Sequence, residues 1–253
     1  MEDICFILQA RLGSSRLPNK VVLPFYDGQN ILEILVSKLK HSYPEKKVII
    51  ATSTDSRNDV LVDVAANLNC EIYRGSESDV LQRMSEAAEK FGFEKLIRVC
   101  PDNPFLDMNE MSRLLKAVET DDSYDYVSFQ IDSNPVIKTH FGFWAEYVRL
   151  EALQKVMAST EEMLFREHVT NFIYQNPEYF KIKFLDAPTI LEGRNDIRLT
   201  LDTFEDFKNL SYLYSELSGK SNADFTIDEI VSYLDSNRDL KTSMRNQIEL
   251  NSK

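Results

Sequence analysis

Short apolar runs alternate with helix-period segments through the first half of the chain. The run Ile4-Cys5-Phe6-Ile7-Leu8 with Gln9 predicts a strand over 4–9, and KVIIATS predicts another over 47–53. Between them, Ile31, Leu32, Leu35 and Leu39 share one face of a helix over 31–40. A helix over 58–68 aligns Val60, Leu61, Val64, Ala65 and Leu68. A short strand over 71–73 follows. Next come a helix over 79–91, with Val80, Met84, Ala87, Ala88 and Phe91 in line, and a strand over 95–99. This repetition requires right-handed crossovers and a mostly parallel sheet covered by helices on both faces. The expected fold class is therefore α/β. Ligands in such sheets bind beyond the carboxyl ends of the strands. Residues 11–20 and the segment after Val99 both fall there.

The second half is less regular. Strands are expected over 125–129, 141–148, 179–185 and 196–201, and helices over 150–158 and 161–175. Phe204, Phe207, Leu210, Tyr214 and Leu217 are in register for a helix over 204–217, and 226–234 predicts a last core helix. Residues 237–253 are polar and predict a frayed helix or tail. No repeat, low-complexity run or linker interrupts the chain. The pattern favours one domain over 1–236 with an inserted β/α lobe at about 130–190, then the polar tail 237–253.

Composition narrows the function classes. The 253 residues are 43% hydrophobic, enough for a substantial core, and carry a formal charge of −12. That charge disfavours general nucleic-acid binding, which needs a basic surface. No apolar stretch reaches the roughly 18 residues of a membrane span. The opening Met1-Glu2-Asp3 is acidic where a signal peptide is basic. A cytoplasmic protein with no membrane partner is expected. Cys5, Cys70 and Cys100 lack metal-type spacing, and Cys5 and Cys70 predict reduced core residues.

Against this acidic background one stretch stands apart. Residues 4–26 contain no Asp or Glu, and the loop after the first strand carries Arg11, Arg16 and Lys20. Gly13, Ser14 and Ser15 are small enough to let backbone N–H groups approach an anion. Two Arg forks and a Lys point charge suit a polyphosphate; a solvated surface loop is the competing interpretation. Asp102, in Cys100-Pro101-Asp102-Asn103-Pro104, fits either a Mg²⁺ ligand or an Asx-turn. Thr203-x-x-Asp206 matches a capping box and accounts for Thr203, Glu205 and Asp206, which leaves Asp202 free as a second metal ligand. The segment Tyr73-Arg74-Gly75-Ser76-Glu77-Ser78-Asp79 fits a contact to a base or ribose, or a helix capped by Ser78. Arg166-Glu167-His168 lies in a helical period, where a structural or interface role is favoured. No Walker A, Gly-x-Ser-x-Gly or Cys–His arrangement is present.

Together these segments resemble a known family. Gln9-Ala10-Arg11-Leu12-Gly13-Ser14-Ser15-Arg16-Leu17-Pro18-Asn19-Lys20 is similar to the signature loop of the acidic-sugar cytidylyltransferases. The similarity is greatest to the branch named for spore coat polysaccharide biosynthesis, which is related to the CMP-KDO synthetases. Three further blocks follow in the same order. They are Arg74-Gly75-Ser76-Glu77 with Asp79-Val80-Leu81 and Arg83, then Arg166-Glu167-His168-Val169-Thr170, then Arg198-Leu199-Thr200-Leu201-Asp202-Thr203 with Glu205-Asp206-Phe207. The resemblance covers about residues 4–215.

It implies a nucleotidyltransferase fold like that of GT-A glycosyltransferases, with CTP and Mg²⁺ as partners and a homodimer. Arg11, Ser14, Arg16 and Lys20 would then grip the triphosphate, helped by Leu12, Gly13 and Ser15. Asp102 and Asp202 would hold Mg²⁺, and Arg74, Ser76 and Arg83 would lie near the cytidine. Arg11, Lys20 and Asp102 would carry catalysis. The chain departs from the family in three places. Pro101-Asp102 replaces Gly-Asp, Phe204 replaces a proline, and Gly142-Phe143-Trp144-Ala145-Glu146 carries Trp144 in place of an Asp. The last change points to a more apolar or stacking acceptor pocket involving Trp144 and Glu146. Two other functions compete. A GT-A-like glycosyltransferase would need an Asp-x-Asp that Asp102-Asn103-Pro104 does not supply, and a degenerate nucleotide binder would not need the intact cation set.

Overall fold

The computed structural model describes residues 4–219 and 225–251. Met1-Glu2-Asp3 and the last two residues of the expected tail, Ser252 and Lys253, lie outside the described residues. The chain opens with β1 (Ile4–Gln9), the hairpin β2 (Pro24–Tyr26) and β3 (Gln29–Asn30), and α1 (Ile31–Ser42). It continues through β4 (Val48–Ser53), α2 (Val60–Asn67), β5 (Glu71–Gly75), α3 (Val80–Phe91), β6 (Lys95–Val99) and α4 (Met108–Thr120). The second half holds β7 (Tyr126–Ile131), β8 (Asn134–Pro135), β9 (Glu146–Arg149), α5 (Leu150–Ser159), α6 (Met163–Glu167), α7 (Asn171–Gln175) and β10 (Ile182–Asp186). Three helices finish the chain: α8 (Phe204–Ser218), α9 (Ile227–Ser236) and α10 (Arg238–Leu250).

The central sheet has the order β10-β7-β9-β6-β1-β4-β5, with β8 paired to β7. Pairings β1–β4, β1–β6, β4–β5 and β7–β10 are parallel, and β9 runs antiparallel to both β6 and β7. Alternation along β1 divides the core. Ile4, Phe6 and Leu8 face the cluster under α1, α4, α8 and α9, while Cys5 and Ile7 face α3 and α5. The expected mostly parallel sheet with helices on both faces is what forms. Within 130–190, β9 and β10 join this sheet and α5 packs on α3. Only the segments around Ile137 and α6–α7 stand over its carboxyl edge.

Local signals explain most helix starts. Asn30 and Glu33 form a capping box on α1, and Thr203 and Asp206 form one on α8. Asp79, not Ser78, caps α3, accepting from the Gln82 N–H at 2.8 Å. The helix α4 was not expected, although Leu114, Leu115 and Val118 supply its buried stripe.

Several expected elements differ for tertiary reasons. The helix over 161–175 is broken at His168–Thr170, because Val169 is fully buried and the Thr170 hydroxyl donates to Glu146 at 3.1 Å. Residues 196–201 form no strand. Ile197, Leu199 and Leu201 are buried, but the segment has only isolated ties, Leu199 N–H to His140 O at 2.7 Å and Leu201 N–H to Asp102 O at 2.8 Å. Residues 141–145 also lack a ladder, and the strand begins at Glu146. Residues 238–250, expected as a frayed helix or tail, form α10, which buries Leu240 and Met244 against the core.

Gly142 fixes how closely these segments meet. It adopts φ +67°, and a Cβ there would lie 2.9 Å from Leu199 O and 3.1 Å from Asn103 Oδ1. Gly28 has a similar φ of +76° with nothing within 4 Å of an added Cβ. Gly28→Ala should therefore cost only the left-handed strain, about 1–2 kcal/mol. Gly142→Ala adds a backbone clash and should cost about 3 kcal/mol or more. Urea denaturation of both variants checks this, and equal midpoint shifts would contradict the close approach.

Candidate active site

Parallel β1, β4, β5 and β6 end on one edge of the sheet, and β9 begins there because it runs the other way. A cavity of about 800 Å³ opens over this edge, lined by the Arg11–Lys20 loop, Cys100–Asp102, Ile137–Lys138, α6–α7 residues and Asp202.

The loop is anchored by its apolar residues. Leu12, Leu17 and Val21 are buried. The Leu12 N–H donates to Asn58 Oδ1 at 2.8 Å, Asn19 N–H to Leu12 O at 3.1 Å, and Leu17 N–H to Ser14 Oγ at 3.4 Å. Anchoring leaves Gly13, Ser14, Ser15 and the cations at the cavity wall. Arg11 Nη2 meets Glu167 Oε1 at 2.7 Å, and Arg16 Nη2 meets Asp202 Oδ1 at 2.9 Å. The Lys20 ammonium lies 2.8 Å from Asp102 Oδ1, 3.6 Å from Asp202 Oδ1 and 2.8 Å from Leu201 O. The structure thus brings Arg11, Arg16, Lys20, Asp102 and Asp202 together from widely separated parts of the chain.

A buried guanidinium holds the acidic half. Arg198 donates Nε to Asp206 Oδ1 at 2.7 Å and Nη2 to Asp206 Oδ2 at 2.9 Å, while Nη2 also reaches Asp202 Oδ2 at 3.0 Å. Burial opposes the charge of Arg198, but Asp206 and Asp202 outweigh it and raise its pKa. Asp206 Oδ2 further accepts from the N–H groups of Asp202 and Thr203 at 3.0 and 2.9 Å. Asp206 is therefore more than a helix cap, because it also fixes Asp202 through both main chain and side chain.

Arg83 lines the opposite wall and is 1% exposed. Its guanidinium donates to the carbonyls of Ser76 and Glu77, and its Nε has no protein partner. Burial pushes its pKa down, with Glu77 opposing and Arg11 adding to the effect. A buried donor without a partner costs free energy.

Other expected residues are not brought to the cavity. Leu12 is a core anchor whose N–H is already used. Arg74 pairs with Asp59 at 2.7 Å and with the carbonyls of Ser53 and Asp55, away from the cavity wall. Ser76 Oγ accepts from the Asp79 N–H at 3.0 Å at the foot of α3. Trp144 is buried among Phe129, Phe141 and Phe143, with Nε1 donating to Glu110 at 3.0 Å. Glu146 is 3% exposed and takes Arg98, the Tyr126 hydroxyl and Thr170. Trp144 and Glu146 reach only a side pocket of about 90 Å³, which shares Cys100, Asp102, Ile137 and Asp202 with the main cavity.

Several lining residues were not anticipated. Arg98 enters the cavity from β6, held by Glu146 and by Gln9 Oε1 at 3.1 Å. An arginine inside the apolar run of a buried strand was the available signal, since such a charge must find a partner. His168 and Asn171 come from the helix break, and Lys138 lies 5.0 Å over the Tyr174 ring. Arg166 is structural, bound to Asp79 at 3.1 Å and Glu161 at 3.0 Å.

Asp102 and Asp202 offer hard carboxylate oxygens that reach one ammonium, so both can serve one cation. Among the described residues no group of three or more potential metal ligands occurs. Two carboxylates completed by phosphate and water match the habit of Mg²⁺. The cations and carboxylates have the chemistry to hold a polyphosphate and shield growing negative charge. Among the described residues no helix is long and apolar enough to cross a membrane.

Comparison with known proteins identifies relatives along nearly the whole chain. Residues 5–235 match the family described as cytidylyltransferase. The chain is 36% identical over 236 residues to an uncharacterised protein of Methanocaldococcus jannaschii, covering 93% of this chain and 91% of that one. It is 32% identical over 250 residues to the spore coat polysaccharide biosynthesis protein SpsF of Bacillus subtilis, covering 96% and 98%. Among solved structures, a cytidylyltransferase from Leptospira borgpetersenii superposes with a TM-score of 0.81 at 24% identity, covering 95% and 97%. A CMP:2-keto-3-deoxy-manno-octonic acid synthetase solved with CTP superposes at 0.61 and 14% identity, covering 83% and 97%.

Glu146→Gln leaves Arg98 charged and buried without its counter-ion, and should destabilise the fold by about 3–5 kcal/mol. Glu205→Gln removes an exposed partner of Lys208 at 3.0 Å and should cost no more than about 1 kcal/mol. Chemical denaturation of the two variants compares the sites directly.

Proposed function

The chain belongs to the cytidylyltransferase family of nucleotidyltransferases, and on that premise we propose that it transfers CMP from CTP to a small hydroxyl-bearing acceptor. We propose an acidic sugar as the acceptor and surface polysaccharide biosynthesis as the context, which the likeness to SpsF supports. The observation that carries this reading is the convergence of Arg11, Arg16 and Lys20 with Asp102 and Asp202 in one cavity. In the reaction an acceptor oxygen attacks the α-phosphorus, the bond to the bridging oxygen breaks, and pyrophosphate leaves with the electron pair. The hydroxyl proton passes to solvent. Arg11, Arg16 and Lys20 face the oxygens where negative charge grows, so the protein contributes positioning and electrostatics rather than a covalent nucleophile. Asp102 and Asp202 would hold Mg²⁺, which would neutralise phosphate charge when bound.

Arg83, a cation lining the cavity, is the proposed contact to the pyrimidine acceptor groups. Lys138, over Tyr174 at the far end of the cavity, supports an anionic acceptor. Association of two copies is part of the proposal, supported by Met163 and Leu164, which stand 58% and 53% exposed on α6. A cytoplasmic location is likewise proposed, where CTP is made.

Thermal-shift titration with CTP, UTP, ATP and GTP, with and without Mg²⁺, tests the nucleotide. A Mg²⁺-dependent rise selective for CTP is expected, and a flat response to all four overturns the proposal. Once an acceptor is found by pyrophosphate release, Lys20→Ala and Asp102→Asn should each lower turnover about 100-fold or more. Turnover close to wild type in both would sink the assignment of these residues.

A further inference from the structure

His140 lies outside the nucleotide cavity, in a surface groove that also holds Arg194 and Ile248 of α10. Its Nδ1 is 2.7 Å from Arg198 Nη1. A guanidinium has no acceptor and stays protonated, so Arg198 donates and Nδ1 must carry the lone pair. The main chain of His140 is tied to the same segment, since its carbonyl accepts from the Leu199 N–H at 2.7 Å.

The contact occupies the one arm of Arg198 that the acids do not hold. Asp206 takes Nε and Nη2, and Asp202 shares Nη2, so both carboxylates pull on one side of the guanidinium plane. Nη1 points the other way, toward the ring. Without that anchor the guanidinium can swing about the Nε–Nη2 edge that Asp206 clamps, which turns the second Nη2 N–H out of line with Asp202 Oδ2. Asp202 would then turn both oxygens toward Arg16 and Lys20, which already hold its Oδ1 at 2.9 and 3.6 Å.

We infer that His140 is a positioning residue: through Arg198 it holds the Asp202 carboxylate in the orientation that leaves it available to a divalent cation shared with the nucleotide. This rests on the proposed CTP and Mg²⁺ reading. Partners that orient a metal-binding side chain from behind typically change metal affinity about 10–100-fold when removed.

The test is a Mg²⁺ titration of the CTP-induced rise in melting temperature, for wild type, His140→Ala and His140→Asn. The asparagine keeps a short side-chain acceptor near the position of Nδ1. In His140→Ala the Mg²⁺ concentration at half-response should rise about tenfold, while the shift given by CTP with EDTA stays within about twofold. His140→Asn should recover the wild-type midpoint to within about twofold of it. An unchanged midpoint in His140→Ala overturns the inference, as does a lowered melting temperature of the free protein with no change in midpoint. Failure of His140→Asn to recover overturns the acceptor role. A wild-type protein that ignores CTP overturns the nucleotide reading itself, and the role of His140 falls with it. The first three outcomes require a responding wild type, so the two failures are told apart.

Discussion

A guanidinium with no exposed side-chain surface, Arg198, sets the geometry of the acidic half of the site. Burying a charge costs several kcal/mol unless partners are well placed. Asp206 meets that condition with two parallel hydrogen bonds, the fork geometry that only Arg can offer. The same carboxylate caps α8 and accepts from the Asp202 and Thr203 N–H groups. One ion pair therefore decides where α8 starts, how residues 196–203 cross the sheet edge, and where Asp202 points. An apolar pair of similar volume would fill the space, but it would orient nothing.

The second constraint is electrostatic. In a chain of net charge −12, a polyanion site must be made locally. The acid-free stretch 4–26 supplies cations, and three carboxylates from elsewhere pair with them: Glu167 with Arg11, Asp202 with Arg16, and Asp102 with Lys20. Without ligand, these cations are satisfied by the site itself. On the proposed reading a polyphosphate competes for Arg11 and Arg16, whose pairs are part-exposed and so individually weak. Lys20 is more deeply held, and its Leu201 carbonyl contact ties it to the loop independently of the carboxylates.

The departures from family pattern acquire a physical meaning in the fold. Trp144 does not form a stacking wall for an acceptor; its ring packs on Phe129 and its N–H binds the buried Glu110. Trp144 therefore lines the side pocket and not the main cavity. Phe204 stands 59% exposed at the first position of α8, where a proline is merely favoured, and the Thr203–Asp206 box caps the helix without it.

The sequence by itself determined the strand–helix alternation, the parallel sheet and the loop of cations at its carboxyl edge. These follow from local periodicity and from residue types within twenty positions of one another. It also carried the capping box at Thr203 and the pairing of Asp102 with Asp202 as acidic candidates. Tertiary structure alone decided the rest. Residues 196–201 alternate as a strand does, yet among the described residues they pair with no strand, so the pattern records burial on two sides instead of a ladder. The 161–175 period breaks because Glu146, distant in sequence, takes the Thr170 hydroxyl. Arg74 and Arg83 look alike as cations near a candidate nucleotide site, but Asp59 claims the first, and among the described residues nothing charged claims the second at bonding distance. Partner choice among buried polar groups depends on contacts between distant segments, and periodicity cannot encode it.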